Sequence, residues 1–234
     1  MASMDWKRHV GWDPRSLDWR VAMFFMVGSS CFALGSLPMY ATRVPLSVVG
    51  VTFFTGSLFF TAAGASQLWQ LRRNYAASSK GLAVRRWHIA IEHGSFVWWA
   101  AAIQFIGMLF FNLSTFDAMA TDLSIAQLNR LVWAPDVAGS IAFLVASHLA
   151  WLAACGRRLW AVLTEDEDWW IAALSYVGSI FFMLSAIGAY TLNTDEVVNQ
   201  VWVNAGTFLG ALGFLAAGYL VLPEATENPR PPVG

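Results

Sequence analysis

Six runs of about twenty consecutive apolar residues constrain this chain more than anything else in it. They lie at Trp19 to Tyr40, Leu46 to Leu71, Gly94 to Leu113, Val137 to Cys155, Trp169 to Leu192 and Val201 to Leu222. A hydrocarbon core about 30 Å thick needs about 20 residues of α-helix at about 1.5 Å each, so each run suffices for one crossing. The runs are continuously apolar and do not alternate with period two, which predicts helices rather than a β-barrel. Composition agrees, since 57% hydrophobic and 12% charged residues lie outside the range of a soluble domain. The predicted fold class is all-α integral membrane with six transmembrane helices.

Placement of the cations predicts orientation. Lys7, Arg8, Arg15 and Arg20 precede the first span, and Arg72, Arg73, Lys80, Arg85 and Arg86 separate the second from the third. With Arg157, Arg158 and Arg230, twelve of the fourteen Lys and Arg fall on one side, leaving Arg43 and Arg130 on the other. Cationic loops stay cytoplasmic, so a multi-pass protein of the cell membrane with cytoplasmic termini is expected. The polar N-terminal stretch is too long for a signal peptide, and Gly28-Ser29-Ser30-Cys31 lacks the order of a lipoprotein cleavage site. Cys31 and Cys155 fall at different depths, which excludes a disulfide framework. Trp19, Trp69, Trp87, Trp133, Trp160, Trp169 and Trp202 fall at span ends and are expected as headgroup anchors.

The chain also repeats itself. Val21 to Tyr40 overlays Ile171 to Tyr190 at a spacing of 150, pairing Ala22 with Ala172, Val27-Gly28-Ser29 with Val177-Gly178-Ser179, Phe32 with Phe182, Leu34 with Leu184 and Tyr40 with Tyr190. Val49 to Ser66 likewise overlays Val203 to Leu220 at 154, with Val49, Phe54, Gly56, Leu58, Phe60 and Ala62-Ala63-Gly64 coinciding. Both first spans of the pairs run the same way, so the repeat is parallel, unlike that of inverted-repeat transporters, with an approximate two-fold axis along the membrane normal. The central antiparallel pair echoes it weakly in Gly107-Met108-Leu109-Phe110-Phe111, Gly139-Ser140 and Phe143. The expected organisation is a stub at 1–18, a helix pair at 19–71, a basic loop at 72–93, the central pair at 94–155, a loop at 156–168, the second copy at 169–222 and a disordered, proline-rich tail at 223–234.

Local signals refine this outline. Asp13-Pro14 is expected to open the first helix, and Pro38 and Pro45 to end it and form a tight outer hairpin. The loop from Ser114 to Asp136 is expected to hold a short interfacial helix. Glu165-Asp166-Glu167-Asp168 reads as a solvated helix start complementing the dipole rather than as a cation site.

Candidate functional residues are few. Gly28, Gly56, Gly64, Gly178, Gly206 and Gly210 are expected to let helices approach closely, and such faces could also join copies of the chain. His88, Glu92 and His93 open the third span, while His148 lies near the end of the fourth, at the same predicted depth. Three readings follow: interfacial polar residues with one interhelical hydrogen bond from His148, a haem held by His93 and His148, or a proton or solute path past Glu92, His93 and His148. Asp136 favours the start of the fourth span, where Asn112 could bond to it. No zinc spacing, Walker loop, dinucleotide turn or Ser-His-Asp order is present, and no metal, enzymatic activity or nucleic-acid partner is expected; the lipid bilayer is the partner.

Val27-Gly28-Ser29 through Phe32, then Val48-Val49-Gly50 and Gly56-Ser57-Leu58-Phe59-Phe60, resemble the two-helix YrhK-like domain of bacterial membrane proteins. Val177-Gly178-Ser179-Ile180-Phe181-Phe182 with Gly206-Thr207-Phe208-Leu209-Gly210 is similar to it as well. Trp98-Trp99, Gln104-Phe105-Ile106-Gly107, Phe110-Phe111-Asn112 and Val132-Trp133-Ala134-Pro135-Asp136 are similar to longer six-span relatives, so the resemblance spans 18–223, with the usual turn between paired helices altered. The resemblance implies a membrane domain of undetermined activity and carries no catalytic residues over. The leading expectation is a non-enzymatic membrane scaffold or envelope component, with a small transporter or channel, or a haem-bearing redox protein, as alternatives.

Overall fold

The computed structural model describes residues 11–78, 95–156 and 161–222, with the side chains of 74–78 left out. Its helices in chain order are α1 (Leu17–Gly35), α2 (Pro38–Ala41), α3 (Leu46–Ser78), α4 (Phe96–Asp117), α5 (Ile125–Gln127), α6 (Ala134–Ala154), α7 (Glu167–Gly188) and α8 (Gln200–Val221). Six of these segments are long and apolar enough to cross a membrane, α5 and α6 acting together.

The six long helices form a closed ring: α1 packs on α3, α3 on α4, α4 on α6, α6 on α7, α7 on α8, and α8 back on α1. Large apolar side chains point away from it on every helix, among them Leu34, Leu58, Ile106, Leu109, Ile141, Val145, Val177, Ile180, Leu209 and Leu212. A continuous apolar exterior of this kind is unsuited to water and suited to lipid, consistent with a multi-pass membrane protein.

Each hairpin closes on one device. A Cβ on Gly28 would lie 2.9 Å from the Gly56 carbonyl oxygen and 2.9 Å from the Phe60 ring, and one on Gly56 would meet Phe32 at 2.9 Å and the Gly28 oxygen at 3.0 Å. Thus each glycine lets the partner backbone in and makes the slot for the phenylalanine four residues after the partner's glycine. Gly107 and Gly139 mate in the same way with Phe143 and Phe111, as do Gly178 and Gly210 with Phe214 and Phe182. The central pair therefore carries the same Gly-x-x-x-Phe contact as the two outer pairs.

The six phenylalanines meet on the axis in two stacked triangles. Phe32, Phe111 and Phe182, from α1, α4 and α7, have ring centroids 5.9 to 6.2 Å apart. Phe60, Phe143 and Phe214, from α3, α6 and α8, lie 5.3 to 6.5 Å apart. Rings of one hairpin link the tiers at 5.0 to 5.6 Å. Phe60 and Phe143 are buried completely. The ring pattern is three-fold, which an overlay of only two copies did not reveal.

Several local expectations change. Asp13 Oδ1 instead accepts from the backbone N–H of Arg15 and Ser16, and it is Ser16 that caps α1 by accepting from Trp19 N–H. The outer loop contains no separate interfacial helix: α4 runs on to Asp117, and Ser124 and Gln127 form a capping box that starts the fourth span twelve residues before Val137. A π-helical segment, Leu128–Trp133, joins α5 to α6 just before Pro135. Widening there accommodates a residue that cannot donate a backbone hydrogen bond. The fifth span ends at Gly188, four residues before Leu192, because Thr191 bridges to Val197 and its N–H and C=O are both held by the Asn129 side chain, at 2.9 and 2.8 Å.

Two of the tryptophans are ties rather than lipid anchors. Trp133 Nε1–H donates to Ala186 O at 3.0 Å and its ring meets Tyr190, while the buried Trp169 donates to Ala161 O at 2.8 Å. Trp69 and Trp202 do face outward, and Trp87 and Trp160 lie outside the described residues.

Candidate functional site

Below the plug, at the end of the ring where α1, α4 and α7 begin, lies a cavity of about 450 Å³ to which all six long helices contribute. Its size falls in the range of small-molecule sites. Phe25 and Phe214 belong to its lining and border the phenylalanine plug, and its walls include Val21, Ala100, Ala101, Ala150, Ala172 and Ala217. Seven residues from the plug phenylalanines stand Phe25, Gln67, Gln104, Ala150, Ser175 and Val221, all in the cavity lining and five of them without an aromatic ring.

Its polar groups are specific. Gln67 and Gln70 from α3, Gln104 from α4, Ser147 from α6 and Ser175 from α7 line it, with Asp18 and Asp168 exposed at the rim. Gln70 Nε2–H donates to Asp18 Oδ1, tying α3 to the first turn of α1. Ser147 and Ser179 share a hydrogen bond of 2.8 Å, and the Ser147 hydroxyl also reaches Ser175 O at 3.3 Å, which holds α6 against α7. The Gln67 Oε1 atom is buried and has no hydrogen-bond partner. Among the described residues the lining contains no Lys, Arg, His or Cys, and its ionisable members there are the two aspartates.

The residues singled out from sequence are placed as follows. His88, Glu92 and His93 lie outside the described residues. His148 does not line the cavity; its neighbour Ser147 does, and one residue turns a helix by about 100°. The imidazole instead meets Tyr176 on α7, ring centroids 5.7 Å apart, with its Nδ1 buried and unpartnered. Asn112 has a different partner from Asp136: its Nδ2–H donates to Thr61 Oγ1 at 2.8 Å, joining α4 to α3. Asp136 lines a separate cavity of about 110 Å³ at the opposite end, with Ser114, Trp133 and Thr191. Gly64 faces Met108 and Phe105 of α4, and Gly206 faces the α7 backbone at Phe181 and Ser185.

Gln67 and Gln104 were missed in reading the sequence. Glutamines near span ends look like ordinary interfacial residues, and only their inward direction separates them from Gln200. Among the described residues no three His, Cys, Asp or Glu side chains converge. The chemistry this lining supports is recognition by amide, hydroxyl and carboxylate groups above an apolar chamber. No family model matches the chain, and no curated protein or solved structure matches it.

Proposed function

We propose that this is a multi-pass protein of the cell membrane, with both termini cytoplasmic, that handles a small solute along the axis of its helical ring. One observation carries the reading: all six helices line a single chamber that opens at one end and stops at the two phenylalanine triangles. By the distribution of Lys and Arg, the open end faces the cytoplasm. Passage requires the plug to part, as in carriers that expose a central site to one side at a time. The proposed path runs along the axis, whose chamber His148 does not line. The resemblance of the hairpins to the YrhK-like domain fits such a membrane element and adds no catalytic residue to it.

The test is solute release from liposomes containing the full chain. Wild-type vesicles should retain an entrapped small dye, and the Phe143→Ala, Phe182→Ala double variant should release it, because one ring is lost from each tier. If the double variant elutes as folded protein and its vesicles stay as tight as wild type, the axis is not a path. The completeness of the plug supports a second reading, a non-enzymatic membrane scaffold, and that outcome would favour it. A reporter active only in the cytoplasm, fused after Gly234, checks the orientation.

A further inference from the structure

We infer that the small cavity beside Asp136 is a binding site for one monovalent metal cation of sodium's size, held by the Asp136 carboxylate with the hydroxyls of Ser114 and Thr191. This site lies at the end of the ring opposite the chamber and stands whether or not the axis conducts. Three residues of its lining, Leu128, Val132 and Trp133, belong to the π-helical segment, a widened turn of the kind often found where a helix serves a site. The cavity measures about 110 Å³, and a single water needs about 10 to 15 Å³, so an ion with a few waters fits. An organic ligand does not, since such pockets start at roughly 300 Å³.

Three side chains of this lining carry unmatched oxygens. The Asp136 carboxylate and the Ser114 and Thr191 hydroxyls have no hydrogen-bond or ion-pair partner among the described residues. Gln67 Oε1 is likewise unpartnered but sealed from every space, whereas these oxygens keep accessible surface. In Ser114, only 6% exposed, that surface belongs to the cavity. The walls are held in place: Asn129 grips both the N–H and the C=O of Thr191, at 2.9 and 2.8 Å, and Trp133 donates to Ala186 O at 3.0 Å. An unpaired carboxylate within a membrane-spanning helix is costly, and a bound cation removes that cost.

Charge at this end favours a cation. Every residue of the loops at 36–45, 118–124 and 189–199 is described, so its charges are all in view. Arg43 and Arg130 are exposed and outside the lining, and they face five carboxylates: Asp117, Asp122, Asp136, Asp195 and Glu196. That excess draws cations toward the site. Ser114 stands in the last turn of α4 and Ala189 just past α7, so two helices bring the negative ends of their dipoles to the cavity. The starts of α3 and α8 contribute nothing to its lining. One carboxylate balances one positive charge, whereas calcium takes about 6 to 8 oxygens, several of them from carboxylates. Hard oxygen ligands also disfavour soft metals. Two oxygens from Asp136, one from Ser114 and one from Thr191, with water completing the shell, suit sodium.

The experiment melts the full chain, in uncharged phosphatidylcholine nanodiscs, in sodium, potassium and N-methylglucamine chloride of equal ionic strength. Sodium at about tenfold above its dissociation constant should raise the melting temperature by about 3 °C over N-methylglucamine. Potassium should raise it less, and the sodium NMR line should broaden when the protein is added. Asp136→Asn keeps the side-chain shape, removes the charge and should melt no lower than wild type without sodium. It should lose both the sodium shift and the broadening. Ser114→Ala should keep the shift but need about fivefold more sodium to reach it. Equal melting in sodium and N-methylglucamine up to molar salt, potassium matching sodium, or an undiminished sodium shift in folded Asp136→Asn protein would each overturn the assignment. If Asp136→Asn does not fold, an unchanged sodium dependence in Ser114→Ala overturns it instead.

Discussion

The mid-bundle plug and the chamber beneath it are built by the same six helices and differ in what those helices point at the axis. At the plug each helix presents glycine to its hairpin partner and phenylalanine to the centre, so backbones approach and rings fill the space between. At the chamber seven alanines line the wall with Val, Ser and Gln side chains, and a void of about 450 Å³ remains. Helix spacing is thus set at the glycines, and side-chain volume alone decides whether the axis is shut or open. In lipid this matters more than in water, because packing and interhelical hydrogen bonds replace the hydrophobic effect as the force between helices.

Breaking the plug at its glycines should have the largest effect. Gly178→Leu drives a side chain into the Gly210 carbonyl oxygen, which a Cβ would already approach to 2.9 Å, and backbone cannot swing aside as a side chain can. A loss of about 3 kcal/mol, the upper end for overpacking, should appear as a collapse of the folded fraction in detergent melts. Comparable substitution at Gly156, where a Cβ would meet nothing within 4 Å, should be set by its positive φ instead.

Removing a ring rather than adding one should cost less. Phe143→Ala leaves a hole in the triangle it forms with Phe60 and Phe214, and the packing share of the usual core penalty, about 2 to 3 kcal/mol, should register as a lower melting temperature. Away from the axis the effects shrink. Trp133→Phe keeps the ring but deletes the N–H to Ala186 O, for about 1 kcal/mol, and should increase protease access to the loop from Ala189 to Asn199. Ser147→Ala removes the hydroxyl bridge to Ser179 and should cost about 0.6 kcal/mol, the average for hydrogen bonds between membrane helices. A stability loss at Ser147 as large as that at Phe143 would show that the chamber wall, rather than the plug, sets the spacing.

Much of the architecture was legible because the bilayer imposes its requirement on the chain directly. Six apolar runs gave six crossings, with Leu46 and Trp169 close to the true helix starts. Errors came where local chemistry competed. Asp136 looked like a residue of the first turn because a carboxylate favours the dipole there, yet the preceding π-helical segment carries the helix back to Ser124. Trp133 and Trp169 looked like interface anchors because composition at span ends does not report which way an indole N–H points. The third copy of the Gly-x-x-x-Phe contact was visible as letters but not as a contact, since glycine and phenylalanine are common in membrane helices.

By itself the sequence determined the class of structure and the number and approximate placement of the helices, because an unbroken apolar run has few other fates. Tertiary structure alone decided which face of each helix looks inward. In a membrane span both faces are apolar, so periodicity does not separate lipid from core as it does in a soluble helix. Only closure of the ring showed that Phe32, Phe60, Phe111, Phe143, Phe182 and Phe214 meet on one axis, and that Gln67, rather than His148, lines the space they leave.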